Sequence, residues 1–138
     1  METRVIVANN TRARIFASHD VLNHLEEQEG FVHAEAHLSN RDLVSDAAGK
    51  SRDPRGSYDP ETSATQIESD NFARLLARRL KEMHNSRHFD QLILIAPPAF
   101  LGLLRGHLAK PLDKLVERTI HKDLTTAGIE DIIDYIRA

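Results

Sequence analysis

The chain has 138 residues, of which 41% are hydrophobic, and 18 Lys and Arg against 21 Asp and Glu give it a formal net charge of −3. This length and composition fit one folded domain and exclude a wholly disordered chain, and the acidic excess argues against general binding of duplex nucleic acid. The absence of cysteine excludes disulfides, thiolate metal ligands and a cysteine nucleophile.

The first part of the chain predicts three strands. Arg4–Ala8 and Ala13–Ala17 are short apolar runs joined by Asn-Asn-Thr-Arg, which is typical of a β-turn, so we expect a hairpin. A third strand is predicted over Phe31–Leu38, where apolar and polar residues alternate with the period of a half-buried strand.

A long polar segment follows over Ser39–Gln66. It is rich in Gly, Pro, Ser, Thr and charged residues and has few large apolar ones. A connection of this length within a compact domain usually signals function or disorder. We therefore expect it to contain no long helix or strand and to be more mobile than the rest of the chain.

The second half of the chain alternates helices with strands. Ile67–Met83 is predicted as a helix, and Leu92–Ala96 is an unbroken apolar run typical of a strand covered on both faces. Phe100–Ala109 is predicted as a second helix and Lys114–His121 as a strand, and a last helix begins near Thr126, its expected N-cap. The apolar faces of the first and last helices consist of Phe72, Leu75, Leu76, Leu80 and Met83, and of Ile129, Ile132, Ile133 and Ile136.

This order of elements predicts an α/β fold. A three-strand antiparallel meander is followed by α-β-α-β-α crossovers, which together form a single mixed β-sheet with Leu92–Ala96 as a central strand. The same order matches the ribonuclease H-like topology. We predict one domain over residues 1–138, with residues 39–66 as its long polar loop.

The residue types limit the chemistry. A nuclease of this topology holds two metal ions with carboxylates on its first and fourth strands, and neither predicted strand contains an acid. Dinucleotide-binding, phosphate-loop and serine-hydrolase motifs are also absent. His33, Glu35 and His37 share one strand face, which suits either zinc or a solvated strand edge, and the second interpretation is simpler. We predict no metal, no cofactor and no catalytic residue, and favour a binding protein over an enzyme.

Polar residues gather in loops expected at the carboxyl ends of the parallel strands, where open α/β sheets bind their ligands. Their basic groups are suited to phosphates, and the alternative is that they are ordinary solvated charges. We expect Asp46, Arg105 and Asp123 to lie close together, because a planar guanidinium can bind two carboxylates. The residues predicted to bind a ligand or partner are Asp46, Lys50, Arg52, Arg55, Arg105, Lys122 and Asp123.

Five segments together resemble the bacterial host attachment protein family, whose members are described as proteins required for attachment to host cells. The segments are VIVANNTRARIF (5–16), RDLVSDAAGK (41–50), NFARLLARRL (71–80), LILIAPPAFLGLLR (92–105) and HKDLT (121–125). In the family's loop pattern an aspartate is followed after a short gap by Gly-Arg. Asp46 and Gly49 match that pattern, whereas Lys50 replaces the arginine and lacks its bidentate geometry.

That family is remotely similar to the middle domain of archaeal and eukaryotic class-1 peptide chain release factors and of their ribosome-rescue relatives. The resemblance therefore implies a release-factor-like fold and a connection with translation. The chain lacks the Gly-Gly-Gln tip of catalytic release factors, so peptidyl-tRNA hydrolysis is not expected.

Three functions remain open. The first is a non-enzymatic binding domain that engages RNA or the ribosome. Its phosphate partners would be Arg52, Arg55, Arg105 and Lys122, with Asp46 and Asp123 orienting these cations. The second is an interaction module that supports host attachment through a protein partner, and the third is a metal-dependent hydrolase using Asp46, Asp123 and a histidine. Because the sequence shows no export signal and no run of 18 apolar residues, we expect a cytoplasmic protein without a membrane partner.

Overall fold

The structure is a computed structural model that describes residues 1–32 and 60–138. These residues form one five-stranded sheet with the strand order β3-β2-β1-β4-β5. The antiparallel pairs are β1–β2 and β2–β3, and the parallel pairs are β1–β4 and β4–β5. The strands are β1 (Thr3–Ala8), β2 (Arg12–Ser18), β3 (Glu26–Val32), β4 (Gln91–Ile95) and β5 (Val116–Ile120). The predicted α/β class, mixed sheet and meander are therefore confirmed, while the ribonuclease H-like description stays a prediction.

Helices cover both faces of this sheet. Those within the described residues are α1 (Pro60–Ser86), α2 (Pro98–His107), the single turn α3 (Lys110–Asp113) and α4 (Ile129–Arg137). The first face packs β1 and β4 side chains against α1 and α2, and the second packs the alternate side chains against α4. A strand between two such layers must be apolar at every position, because successive side chains point to opposite faces.

Strand β4 shows this rule directly. Leu92 and Leu94 belong to the core beneath α1 and α2, whereas Ile93 and Ile95 belong to the core beneath α4. The predicted central strand Leu92–Ala96 is observed as β4, which spans Gln91–Ile95 and lies between β1 and β5, while β1 occupies the middle of the sheet.

Near the polar segment, the predicted boundaries of one helix and one strand differ from those in the structure. Helix α1 begins at Pro60, so the expectation of a loop reaching Gln66 is wrong for residues 60–66. These first turns lack the apolar spacing that marks the rest of the helix, and proline is well suited to a helix start. The rest of the Ser39–Gln66 prediction lies outside the described residues, as do residues 33–38 of the predicted third strand. Strand β3 instead spans Glu26–Val32, a polar stretch at the edge of the sheet.

Smaller corrections concern the other helices and the last strand. Gly128, not Thr126, is the N-cap of α4. The predicted strand Lys114–His121 is shorter in the structure, where it is β5, because the turn α3 forms just before it. Leu75 is 45% exposed, since the buried face of α1 is centred on Phe72 and Leu76. The predicted apolar stripe of α4 is present, with Ile132, Ile133 and Ile136 buried.

The direction of the strands defines one functional edge. Strands β1, β3, β4 and β5 all run the same way, so their carboxyl ends lie on one side of the sheet, here called the carboxyl edge. The β1–β2 turn, the start of α2 and the loop after β5 all lie there. Across residues 1–32 and 60–138, no helix has the length and apolar character that crossing a membrane requires.

Candidate functional site

The turn between β1 and β2 is fixed by the side chain of Asn9. Its Oδ1 accepts hydrogen bonds from the backbone amides of Thr11 (2.8 Å) and Arg12 (2.9 Å) and from the Thr11 hydroxyl (2.9 Å). Its Nδ2 donates to Asp123 Oδ2 (2.9 Å) and to Thr125 Oγ1 (3.2 Å). Asparagine is suited to this role because its amide both accepts from a local turn and donates elsewhere. The turn is therefore tied to the loop after β5.

Asp123 is the acceptor at the centre of that loop. Its Oδ1 accepts hydrogen bonds from the backbone amide (3.0 Å) and the hydroxyl (2.7 Å) of Thr125. Burial raises the pKa of Asp123, but the hydrogen bonds from Asn9 and Thr125 and the charge of Arg12 outweigh burial and hold the pKa below its usual 3.8. The carboxylate is therefore charged at neutral pH and serves to order the loop.

Arg14 joins the same loop to strands β2 and β3. Its Nε and Nη2 bind the two carboxylate oxygens of Glu27, each at 3.1 Å. Its Nη1 donates to the carbonyl oxygens of Thr125 (3.2 Å) and Ala127 (2.7 Å). The guanidinium carbon also lies 5.0 Å from the centre of the Phe16 ring. Arg14 is thus a positioning residue whose donors are already engaged within the protein.

A cavity of about 560 Å³ lies between these segments at the carboxyl edge. Its lining includes Arg12, Arg14, Gly30, Thr125, Thr126 and Gly128. Gly128 is the N-cap of α4, so the positive end of that helix borders the cavity, although Glu130 and Asp131 in its first turn offset part of that charge. Glu27 and the apolar residues Ala13, Val32 and Ala127 line the cavity as well, so its cationic character is confined to the side where Arg12 lies.

Arg12 is the cation best placed to meet a negatively charged ligand. Its side chain is exposed at the end of the β1–β2 turn, and its guanidinium makes no hydrogen bond with residues 1–30, 32 or 66–138, the part of the chain whose side chains the structure describes. Asn9 holds the backbone of Arg12 through two hydrogen bonds. The Arg12 backbone amide donates to the Asn9 side chain, and the Asn9 backbone amide donates to the Arg12 carbonyl oxygen at 2.9 Å. A charged group on a fixed backbone loses less entropy on binding than one on a mobile loop.

The structure brings together two of the residues predicted from sequence. Lys122 and Asp123 lie at the carboxyl edge, and the ammonium of Lys122 is 5.9 Å from the centre of the Tyr135 ring. The other predicted loop residues lie outside the described part of the chain. These are Asp46, Lys50, Arg52 and Arg55, and the possible zinc ligands His33, Glu35 and His37 lie outside it as well.

Arg105 has a different location from the one predicted. Its Nε (3.1 Å) and Nη2 (3.0 Å) donate to Oδ1 of Asp113, which precedes β5. Helix α2 starts at the carboxyl edge and runs back along the sheet, so its last turn lies towards the amino ends of the strands. The expectation that Arg105 pairs with Asp123 is therefore wrong, because it overlooked the direction of the crossover helix.

The residues that organise the described site differ from those expected. Its framework consists of Asn9, Arg12, Arg14 and Thr125, and from sequence the first two were predicted only as turn residues. The available signal was an Asn-Asn turn directly after a buried strand, because polar side chains at that position face the usual ligand edge of an open sheet.

The described side chains do not form a metal site. Among residues 1–30, 32 and 66–138, no three His, Asp or Glu side chains are grouped closely enough to hold a metal ion. Asp123 is surrounded by amide, hydroxyl and guanidinium groups rather than by further ligands. Asp46 lies outside these residues, so the hydrolase hypothesis that uses it is not tested.

Two comparisons with known proteins bear on the function. The sequence profile of the family described as "Protein required for attachment to host cells" matches residues 4–136. An uncharacterized protein of Rickettsia prowazekii (strain Madrid E) is 32% identical over 81 residues, which are 57% of this chain and 54% of that protein. The match thus spans about half the length of this curated relative.

Proposed function

Because the chain belongs to the family of proteins required for attachment to host cells, we propose that it serves that process indirectly, as a non-enzymatic domain that binds RNA, including that of the ribosome. The family description supports a role in attachment and leaves the molecular partner open. The resemblance to release-factor middle domains supports a partner in the translation machinery. The cavity beside Arg12 supplies the physical basis for choosing RNA.

The observation that carries the proposal is an exposed arginine held on a braced turn beside a polar cavity. The guanidinium of Arg12 has the fork geometry that binds two phosphate oxygens at once. Lys122 adds a second exposed cation at the same edge, and the Thr126 hydroxyl offers a further donor. Phosphate contacts of this kind position a nucleic acid without reading its sequence.

The charge balance supports a local contact. At the carboxyl edge Arg14 is paired with Glu27, and the carboxylates Asp123, Glu130 and Asp131 lie near the exposed cations Arg12 and Lys122, so a polyanion has only these two cations to contact. The whole chain has a net charge of −3, so regions away from this edge repel a polyanion. We therefore expect a small number of phosphates to be bound, with moderate affinity.

Four further residues are included in the proposed site on their sequence alone. Strand β3 ends at the carboxyl edge with Val32, and α1 starts on the same side of the sheet with Pro60. The intervening segment therefore leaves and rejoins the described structure on the side where the cavity lies, which supports the inclusion of its polar residues. These are Asp46, Lys50, Arg52 and Arg55.

The proposal can be tested by fluorescence anisotropy with a labelled single-stranded RNA 12-mer of mixed sequence. We expect Arg12→Ala to weaken binding about tenfold, because one charge-assisted contact to phosphate is lost. Arg78→Ala is the matched control, since Arg78 is exposed on α1 away from this edge, and it should leave the affinity unchanged. Equal affinities for the wild type and the Arg12→Ala variant would contradict the proposal.

A protein partner is the alternative, and the family description is compatible with it as well. The two functions separate in a host-attachment assay that uses the same two variants. If the wild type binds no RNA and Arg12→Ala still reduces attachment, the carboxyl edge binds a protein. If RNA binding and attachment fall together in Arg12→Ala, attachment depends on the RNA contact.

A further inference from the structure

A second cavity, of about 570 Å³, opens beside the same β1–β2 turn. Asn10 lines this cavity, whereas Arg12 lines the first one. Helix α2 supplies an apolar wall that includes Ala99, Phe100 and Leu103. The volume is in the range that holds small ligands or a side group of a larger one.

We propose that this second cavity receives an unpaired base of the RNA whose phosphate contacts Arg12. The inference rests on the proposed function, because it assigns the RNA contact at Arg12 to a single strand. It adds a separate binding site and a ligand class, namely a single-stranded RNA with at least one unstacked base.

The lining of the cavity matches the chemistry of a nucleobase. A base has two apolar faces and an edge of hydrogen-bond donors and acceptors. The wall formed by Ala99, Phe100 and Leu103 suits the faces, and the amides of Asn10 and Gln66 suit the edge. Each amide carries both a donor and an acceptor, so the pair can meet more than one type of base. Sequence preference should therefore be weak.

The separation of the two cavities suits a nucleotide chain. Asn10 and Arg12 are two positions apart in the turn, so their Cα atoms are at most about 7.6 Å apart. The two cavities therefore lie on either side of one short turn, and we expect a flexible single strand to place a phosphate at Arg12 and a neighbouring base at the cavity that Asn10 lines. The Asn9 hydrogen bonds fix the turn, so the two contacts keep a constant spacing.

This arrangement selects against duplex RNA. In a duplex each base is stacked and its pairing edge is occupied, whereas single-stranded segments can turn their bases outward. Entry of a base into a cavity between α1 and α2 requires such a segment. The acidic net charge of the chain also disfavours the extended phosphate contacts that duplex binding uses.

The test uses two labelled hexamers, a single-stranded RNA and the same ribose-phosphate backbone without bases. Ala99→Leu places a larger neutral side chain in the wall of the cavity, at an exposed position near the start of α2, and narrows the space for a base. We expect it to weaken binding of the RNA hexamer about tenfold, as for the loss of one stacked base, and to leave the abasic hexamer unaffected. Gly106→Leu is the control, because a side chain at Gly106 on the same helix meets open space.

Arg12→Ala separates failure of this inference from failure of the proposed function. If Arg12→Ala weakens both hexamers and Ala99→Leu weakens neither, the RNA site stands and the base cavity is wrong. If Ala99→Leu weakens both hexamers equally, the substitution acts on the backbone contact, and the base cavity is again wrong. If Arg12→Ala changes the affinity for neither hexamer, the proposed function fails and this inference fails with it.

Discussion

Arg14 makes four hydrogen bonds through its guanidinium, two to Glu27 and two to carbonyl groups of the loop before α4. The carbonyl contacts require donors in a fixed planar arrangement, which a lysine ammonium cannot reproduce. The residue therefore joins β2, β3 and the loop after β5 through geometry as much as through charge.

We predict that Arg14→Lys lowers the free energy of unfolding by about 1–2 kcal/mol, because charge-assisted hydrogen bonds in a partly buried position are lost. Urea denaturation followed by circular dichroism measures the change. Arg78→Ala on the solvent side of α1 should stay within about 0.5 kcal/mol of the wild type. If Arg14→Lys and the wild type had the same urea denaturation midpoint, the contacts of Arg14 would not be stabilising.

Asn9 controls the ionisation of Asp123. Removing its amide in Asn9→Ala removes a hydrogen bond that favours the charged carboxylate, so the pKa of Asp123 should rise from below 3.8. An NMR titration of the Asp123 carboxyl carbon measures this rise. Asn23→Ala, in the exposed turn after β2, is the control and should leave the pKa of Asp123 unchanged.

Helices α1 and α2 are connected by a pair of polar side chains. His107 Nε2 lies 2.8 Å from Asp70 Oδ1, and Arg74 binds the other carboxylate oxygen at 3.1 Å. The hydrogen bond with His107 lowers the pKa of Asp70 most, burial opposes this, and the charges of His107 and Arg74 lower it further. The pair therefore joins the two helices that cover one face of the sheet.

This pair predicts a defined loss of stability in acid. The folded-state pKa of Asp70 lies below 3.8, so its contribution is fully present above about 3.8 and is lost as the pH falls through the lowered pKa. His107→Ala should raise the pKa of Asp70 and reduce this loss, whereas His88→Ala, exposed after α1, should not. Denaturant titrations between pH 5 and about pH 2 measure the difference. An identical pH profile for His107→Ala would contradict this account.

Helix α4 covers the second face of the sheet with a narrow apolar stripe. Ile132 is fully buried among side chains of β1, β2 and β4, so Ile132→Ala should cost about 3 kcal/mol through lost burial and a residual cavity. Tyr135→Ala, 39% exposed on the same helix, should cost far less. Chemical denaturation of both variants gives the comparison, and similar costs would show that α4 packs differently.

Periodicity explains which elements could be predicted from sequence. Strand β4 and helices α2 and α4 were predicted because their side chains pack on one or two apolar layers, and that packing imposes a spacing on the sequence. The predicted bounds of strand β3 were wrong because β3 is a polar edge strand. Its Glu29 binds Arg79 of α1 at 2.7 Å, and such a contact between distant positions leaves no local pattern in the sequence. The first turns of α1 have no apolar spacing in the sequence, so periodicity does not mark where the helix begins.

The site was less predictable because its contacts join distant parts of the sequence. Asp123 and Lys122 were placed at the carboxyl edge by strand direction alone. The partner of Arg105 depended on where α2 ends, and the bond between Asn9 and Asp123 joins positions 114 residues apart. Chain order predicts which edge a loop reaches, but not which side chains meet there.

At the scale of the whole molecule, the charges are unevenly placed. The chain is acidic overall, and at the described carboxyl edge the exposed cations Arg12 and Lys122 lie on the same side of the sheet as the carboxylates Asp123, Glu130 and Asp131. A polyanion should therefore be attracted only locally, at Arg12 and Lys122, and be repelled elsewhere. This distribution agrees with a domain that binds a short stretch of RNA rather than wrapping a long one.

The most direct test of this account is the dependence of RNA affinity on salt. For a single strand, each phosphate neutralised by a cation contributes about 0.7 to the slope of log K against log salt concentration. We predict that Arg12→Ala reduces the magnitude of the slope by about 0.7 and that Arg78→Ala leaves it unchanged. An unchanged slope in Arg12→Ala would show that Arg12 does not contact phosphate and would contradict the proposed function.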